Sequence, residues 1–396
     1  MKQTKDVVIM SAVRTAIGAF GGSLKDKSAT ELGTVVAREA LARASIEAGR
    51  VDQIVFGNVI QCEPRDAYLS RVVGLDAGMA EQSTALTVNR LCGSGLQAIV
   101  SAANAIELGD AEIAIGGGAE TMSRAPHLTQ SARWGTRMGD ITMVDMLLGA
   151  LSDPFGAGHM GITAENVARQ FKIGRDEQDA FAAESHRRAI TAIEAGYFKS
   201  QIVPIDIRTR SGTVAFDIDE HPKAGTSVDG LAKLKPAFQR DGGSVTAGNA
   251  SGINDGAAAC MLMEAGAAAR AGLAPLARLV SYAVAGVHPS VMGTGPIPAV
   301  RLALQRAGLT LDGIDVIESN EAFAAQALGV CKGLGLDSGR ANPNGGAIAL
   351  GHPLGASGAI ITVKCLHELI RTRGRYGLIT MCIGGGQGIA AVIERL

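Results

Sequence analysis

The chain has 396 residues, enough for two or three domains with a sizeable core each. Apolar residues make up 47%, charged residues 19%, and the net charge is −1, which excludes a disordered chain and a nucleic-acid binder held by a basic face. No uncharged apolar run reaches the roughly 18 residues that a bilayer demands, so no membrane partner is expected.

The N-terminal stretch MKQTKDVVIMSAVRT lacks the apolar region of a signal peptide and runs straight into a strand. REALARASIEAGRVDQIVFGN (38–58) reads as a helix, a glycine-bearing turn, an Asp and an apolar strand ending in Asn. In ALTVNRLCGSGLQA, Ala85–Val88 reads as a buried strand, and Cys92 falls at the first turn of the following helix. Unsatisfied N–H groups and the helix dipole there favour a thiolate, so a lowered Cys92 pKa is expected. Gly93 and Gly95 leave room for an acyl group and offer N–H groups to an oxyanion. Most cysteines are simply small buried hydrophobes; the strand-to-helix corner and the flanking Gly-Ser-Gly favour a nucleophile.

Residues 121–248 have a different texture, with the only Trp (Trp134) and one amphipathic helix over 175–196. GAGHMG (156–161) matches GxGxxG, but no strand precedes it and no suitable acidic residue follows, so it is not read as a dinucleotide site. His159 within it suits a pocket wall or a turn equally well. GSVTAGNASGINDGAAACMLM (243–263) returns to strand–turn–strand character and re-enters the first half's sheet. Ser251 lies in its turn, where N–H groups suit a polar ligand arm.

The chain then repeats itself. VRLALQRAGLTLDGIDVIESN (300–320) follows the pattern of 38–58, and LGASGAIITVKCLHELIRTRGRYGLITMCIGGG (354–386) follows that of 92–118, both ending in Ile-Gly-Gly-Gly. Two similar α/β halves are therefore expected, with largely parallel sheets and helices packed on them. The expected boundaries are 1–120, re-entered by about 249–273, then an inserted 121–248, then 274–396.

In the second half, NGGAIALGHPLGASGA puts His352 at the matching corner, and TMCIGGGQG puts Cys382 at a strand end. A His with a Cys makes a nucleophile and its activator; a second Cys suits a separate proton carrier. Taken alone, His352 fits a structural role as well. Asn320, in SNEAF, caps a helix or polarises a water or carbonyl. Cys260, Cys331 and Cys365 sit in apolar or helical stretches and read as core. The six cysteines, with Cys62, show neither disulfide nor zinc spacing, and no P-loop or GxSxG occurs. Together with a C-terminus lacking a peroxisomal address, this suggests a cytoplasmic enzyme with reduced thiols and no metal.

VNRLCGSGLQA, NEAFAAQA, GGAIALGHPLGASGA and CIGGGQG, in this order and spacing, resemble the thiolases across essentially the whole chain, with the texture of the bacterial biosynthetic and β-ketothiolase branch. The resemblance implies a five-layered αβαβα fold with an inserted cap and tetramerisation arm, hence a homotetramer. It implies reversible condensation of two acetyl-CoA, with coenzyme A as substrate and product and no permanently bound cofactor. Acyl chains slightly longer than acetyl are also within its scope. Cys92 would become acylated, His352 would take its proton, and Cys382 would remove the α-proton of the second acetyl-CoA. Asn320, through a water and with His352, would form one oxyanion hole; the N–H groups of Cys92 and Gly384 would form the other. Ser251, Ala322 and Phe323 would line the pantetheine tunnel, with His159, Met160 and Met292 facing the pocket. Lys223 stands where related enzymes often have Arg near the adenine, Gly230 where Ser is common, and His288 where an acidic residue is common. A degradative 3-ketoacyl-CoA thiolase is the alternative. A carrier-dependent ketoacyl synthase would carry two histidines with its Cys, and Cys382 argues against it.

Overall fold

The computed structural model describes residues 5–210 and 212–396; the expected strand entry is seen from Val7, and residues 1–4 of that stretch lie outside the described residues. The first half contributes β1 (Val7–Thr15), α1 (Ala29–Ala44), β2 (Gln53–Gly57), β3 (Thr84–Val88), α2 (Ser94–Leu108) and β4 (Ile113–Thr121). Helices α3 (Met160–Phe171) and α4 (Arg175–Glu194) follow in the intervening segment, and β5 (Asn254–Glu264) returns to the sheet. The second half contributes β6 (Ala277–Gly286), α5 (Pro296–Ala307), β7 (Val316–Ser319), α6 (Ala324–Leu334), α7 (Leu354–Thr372), β8 (Tyr376–Ile383) and β9 (Gln387–Arg395).

The strands run in the order β7-β8-β9-β6-β1-β5-β4-β2-β3, and β1 joins the two halves through a short antiparallel contact with β6. The α2 and α7 helices lie against each other between the halves, while α1 covers the outer face of the first and α5 that of the second. This is the expected helix–sheet–helix–sheet–helix sandwich. Its central layer is small-residue packing. A side chain on Gly116 would sit 2.6 Å from Ile99 Cα, and one on Gly95 2.7 Å from Ala359 N.

The halves repeat down to single hydrogen bonds. A register shift between Ile9 and Ser11 opposite β5 recurs between Leu279 and Ser281 opposite β9. At these bulges Ser11 Oγ donates to Ala40 O at 2.6 Å, and Ser281 Oγ to Ala303 O at 2.8 Å. Asp52 accepts the N–H groups of Glu112 and Ile113 at 2.8 and 3.0 Å; Asp315 accepts those of Arg375 and Tyr376 at 2.8 and 2.9 Å.

That register corrects three expectations. The sheets are mixed rather than largely parallel: along the strand order, β8–β9, β9–β6, β6–β1, β1–β5 and β5–β4 pair antiparallel, and only β7–β8, β4–β2 and β2–β3 pair parallel. The Ile-Gly-Gly-Gly runs are not equivalents: Gly116–Gly118 lie inside β4, where helices press on the backbone, whereas Gly384–Gly386 form the turn after β8. Similar letters had arisen from two different steric demands. Strand β3 is an edge strand bonded only to β2, with Leu86 46% exposed, rather than a buried one. Its counterpart in the second half shrinks to a single parallel bridge, Ile317–Ala341.

The intervening segment is fastened to β1 by ionic contacts. Arg14, wholly buried, forms a bidentate pair with Asp219 at 2.7 and 2.9 Å and donates through Nε to Gln201. Glu220 accepts from Ala19 N and Ser23 Oγ, both at 2.8 Å.

Candidate active site

Cys92 stands where β3 turns into α2. Leu91 adopts φ 45°, a left-handed backbone costing a non-glycine residue about 1–3 kcal/mol. Ser94 Oγ closes the corner, accepting from Arg90 N at 2.8 Å and donating to Leu91 O at 2.6 Å. The strained turn presents the thiol: Cys92 keeps part of its surface open while its sulfur sits in a desolvated place.

That desolvation decides the protonation state. Burial pushes the Cys92 thiol up to about 11, and the nearby Glu120 carboxylate adds to the rise. The expected lowering is therefore overturned, since loss of water outweighs the helix N-terminus. Opposing the rise are two N–H donors that reach the sulfur, from Cys92 itself and from Gly384 in the turn after β8. A side chain at Gly384 would come within 3.1 Å of Leu91 Cδ1, a contact tight enough that the leucine would have to yield.

Cys382, at the end of β8, is wholly buried, and burial together with the nearby Cys92 pushes its thiol far up. The raising influence of one sulfur on the other marks the pair as neighbours. Met160, Met292, Ala322, Phe323 and Cys382 share one apolar cluster.

His352 lies just before α7. Its preceding residue, Gly351, has φ 109°, and a side chain there would run into the Asn254 amide. Asn254 accepts the His352 N–H at 2.9 Å and donates to Gly18 O at 2.9 Å, fixing the corner to the first half. Ser357 Oγ donates to Pro353 O at 2.8 Å, so its 2.6 Å contact with His352 Nδ1 must be received from Nδ1–H. This leaves Nε2 unprotonated, its lone pair accepting only from Asn320 Nδ2 at 3.4 Å and able to take up a proton. Burial lowers the His352 pKa to about 4, keeping the ring neutral. Asn320 Oδ1 is buried with no protein partner, beside the imidazole.

A cavity of about 350 Å³ opens over this centre, lined by Met122, Leu147, His159, Ser251, Phe323 and His352 among others. Cys92 packs on Met122, Leu147 and Leu354 of its wall. His159 fills both of its expected roles. Its Nδ1 caps α3 by accepting Gly161 N at 3.0 Å, and its ring stacks on Phe238 at 4.7 Å in the cavity wall. Ser251 N donates to Ala322 O at 3.0 Å, which leaves that N–H engaged within the chain. Lys223 lies apart from the chemistry, in an adjoining cavity of about 360 Å³ with His186, His221 and Gly230. The two cavities share Ala247, Ala250 and Gly252.

Sequence reasoning missed Ser357, Asn254, Phe238 and Glu120. Ser357 alone left a signal: it occupies in α7 the place that Ser94 holds in α2. Cys260, Cys331 and Cys365 are buried core, as expected. Among the described residues no His/Cys/Asp/Glu group is arranged to hold a metal, and no helix is long and apolar enough to cross a membrane.

Comparison with known proteins agrees with this geometry. Residues 7–266 match the thiolase N-terminal domain and 273–395 the thiolase C-terminal domain. Beta-ketothiolase BktB of Cupriavidus necator is 62% identical, covering 99% of this chain and 100% of that protein. An acetyl-CoA acetyltransferase of Pseudomonas aeruginosa is 52% identical over the same shares. The crystal structure of human mitochondrial 3-ketoacyl-CoA thiolase in complex with CoA superposes with a TM-score of 0.96 at 45% identity, covering 99% of this chain and 98% of that one. The chain belongs to the thiolase family.

Proposed function

We propose that this protein is an acetyl-CoA C-acetyltransferase of β-ketothiolase type, joining two acetyl-CoA into acetoacetyl-CoA and CoA and running the reverse. One observation carries the reading: Cys92 of the first half packs against the Met122, Leu147 and Leu354 wall of the cavity that His352 of the second half also lines, with the Gly384 N–H and the Cys382 thiol acting on its sulfur. The β-ketothiolase and acetyl-CoA acetyltransferase among its relatives support it.

Cys92 Sγ attacks the thioester carbonyl, and its proton passes to His352 Nε2. The proton then goes to the departing CoA sulfur, leaving acetyl on Cys92. A thiol held near 11 needs such a base, and the Ser357-fixed tautomer supplies it. Charge on the thioester oxygen is met by the N–H groups of Cys92 and Gly384, which already point at the sulfur. Cys382, a thiol at rest, passes its proton to the again unprotonated His352 Nε2 and as thiolate takes the α-proton of the second acetyl-CoA. The carbanion attacks the acetyl group and Cys92 leaves, taking the proton back from His352, which restores all three groups. Until then the His352 Nε2–H and a water held by Asn320 bind the enolate oxygen of the second substrate.

CoA enters as substrate, its pantetheine passing Ser251, Ala322 and Phe323 and its nucleotide end reaching the Lys223 cavity. We place the protein in the cytoplasm, with 121–248 as the inserted domain between halves at 1–120 and 274–396. It forms a homotetramer through the exposed apolar run that includes Trp134 and Met138, 89% and 93% exposed. The reading is tested by CoA-dependent cleavage of 3-ketoacyl-CoA substrates from four to ten carbons. Cleavage centred on four and five carbons supports it; a maximum at eight or ten moves the protein to the degradative class; no cleavage by folded protein removes the reading.

A further inference from the structure

Glu120 ends β4 and is wholly buried, with no part in the chemistry above. Its Oε2 accepts Val59 N at 2.9 Å and Gly355 N at 2.7 Å; its Oε1 accepts Ile60 N at 3.1 Å and Asn58 Nδ2 at 3.2 Å. Four donors occupy the four acceptor sites of a carboxylate. No cation is spent on it: the nearby Arg124 pairs with Glu63 at 2.7 Å instead. A buried carboxylate of this kind is expensive to keep, since burial disfavours its charge. Its donors come from both halves of the molecule. Val59, Ile60 and Asn58 follow β2 and are tied to the Cys92 corner, since Val59 O accepts from Asn89 Nδ2 and Val88 O from Asn58 N, both at 3.2 Å; Gly355 is the second residue of α7, three positions after His352. The Gly355 N–H is one of the helix-start donors with no partner inside its own helix. A side chain on Gly355 would lie 2.6 Å from Glu120 Oε2, so that approach also requires glycine.

We propose that Glu120 is a positioning residue for the reaction: its carboxylate holds the His352 corner of the second half against the Cys92 corner of the first. The proposal rests on the thiolase reading of those two residues. Glu120 reaches Cys92 from the other side by charge, as it is one of the groups that raise that thiol. It therefore does two things at once. It braces the two corners against each other, and its charge adds a smaller rise to a thiol that burial already holds protonated. The titratable groups facing Glu120 are Asp66 and Cys62, from the segment after β2, and Cys92. Asp66 carries the same sign of charge and acts on Glu120, and Glu120 in turn acts on Cys92.

The test is Glu120→Gln, which keeps the shape but turns one acceptor oxygen into a donor facing N–H groups. Acylation of Cys92 by acetyl-CoA in a single turnover is expected to slow roughly 10- to 100-fold with the KM for CoA little changed, as a small misplacement of reacting groups does. Alkylation of the free enzyme by iodoacetamide, followed at Cys92 by peptide mapping, is expected to reach half its limiting rate at lower pH than in the parent protein. A purely structural staple would lower the melting temperature and leave the alkylation profile where it was. That result, or parent-like acylation by folded Glu120→Gln protein, overturns the proposal. Should Glu120→Gln not fold, Asn58→Ala removes one of the four donors and keeps the charge. Acylation must then slow, and a parent-like rate overturns the proposal. Failure of the parent protein to acylate at all would remove the thiolase reading instead, and alkylation, which needs no substrate, separates the two.

Discussion

Ser357, in the first turn of α7, and His352, just ahead of that helix, bring Oγ and Nδ1 to 2.6 Å. Because the hydroxyl proton is committed to Pro353 O, the pair decides which imidazole nitrogen is free. Replacing Ser357 by Ala should leave the fold intact and allow the ring to take either tautomer. We expect kcat to fall roughly tenfold or more, within the usual range for acid–base groups, with KM for CoA within about twofold. Steady-state kinetics in both directions check this; an unchanged kcat would remove Ser357 from the mechanism.

Cys92 and Cys382 should fail at different steps. Cys92→Ala is expected to abolish the acyl-enzyme, whereas Cys382→Ser should still load acetyl from acetyl-CoA and then stall before condensation. Mass spectrometry of the intact protein after mixing with acetyl-CoA distinguishes them. Condensation at the parental rate by the Cys382→Ser protein would withdraw its proton-carrying role.

The protonation states give a pH signature. Burial holds Cys92 near 11 and His352 near 4, so the resting pair is neutral across the whole middle range. Alkylation of the free enzyme by iodoacetamide should keep rising with pH well past 8.5, the usual thiol region. A half-rise below 8 would mean that the helix N-terminus dominates after all.

The histidine contribution to acid stability has a definite sign. The folded chain keeps His352 neutral down to about 4, and burial lowers His186 to about 4 as well, with His221 and Lys223 adding to that fall. Unfolded histidines take up protons near 6.5. At these rings the unfolded state binds more protons between the two values, so their contribution falls as pH drops from about 6.5 towards 4. Glu120 and Glu318, which burial raises to about 7, act in the opposite sense over the same range. Thermal melts of the parent protein and of His186→Gln isolate the ring: the gap between the two curves should change across that window, and parallel curves would show the ring to be solvated.

Asp219→Ala should strand the buried Arg14 guanidinium. Leaving one partner of a buried pair uncompensated costs about 3–5 kcal/mol, and Arg14 keeps only Gln201 and Thr15 O as acceptors. Urea denaturation measures the loss. A change under about 1 kcal/mol would mean that water reaches the site.

Much of this was legible in the chain because the informative groups are local. The Cys92 and His352 corners each lie within a few residues of their glycines, and the duplicated strand–helix pattern announced two stacked halves. What stayed hidden depends on contacts across long sequence distances. Glu120 reads as one more residue of a buried strand until Gly355 arrives beside it, and Phe238 gives no sign of stacking on His159. The Cys92 pKa was misjudged for a related reason. A helix start is visible in a sequence, whereas the water excluded by Leu147, Leu354 and Met122 around it is not. The two Ile-Gly-Gly-Gly runs mislead in the opposite way, since identical letters answered two unrelated crowding problems.

The shrinking of one strand to the Ile317–Ala341 bridge has a consequence for how copies of the molecule can meet. A ribbon of strands open at both ends invites growth in both directions, and a row of such molecules has no natural stopping point. Here one end, at β3, keeps its unpaired backbone, while the other is sealed by the chain around Ala341 and Asn342, whose N–H already bonds Ile317 O at 2.9 Å. With only one open margin, strand pairing between two copies uses up both margins at once and the row ends there, so duplication with loss of one strand leaves a molecule that can pair without polymerising.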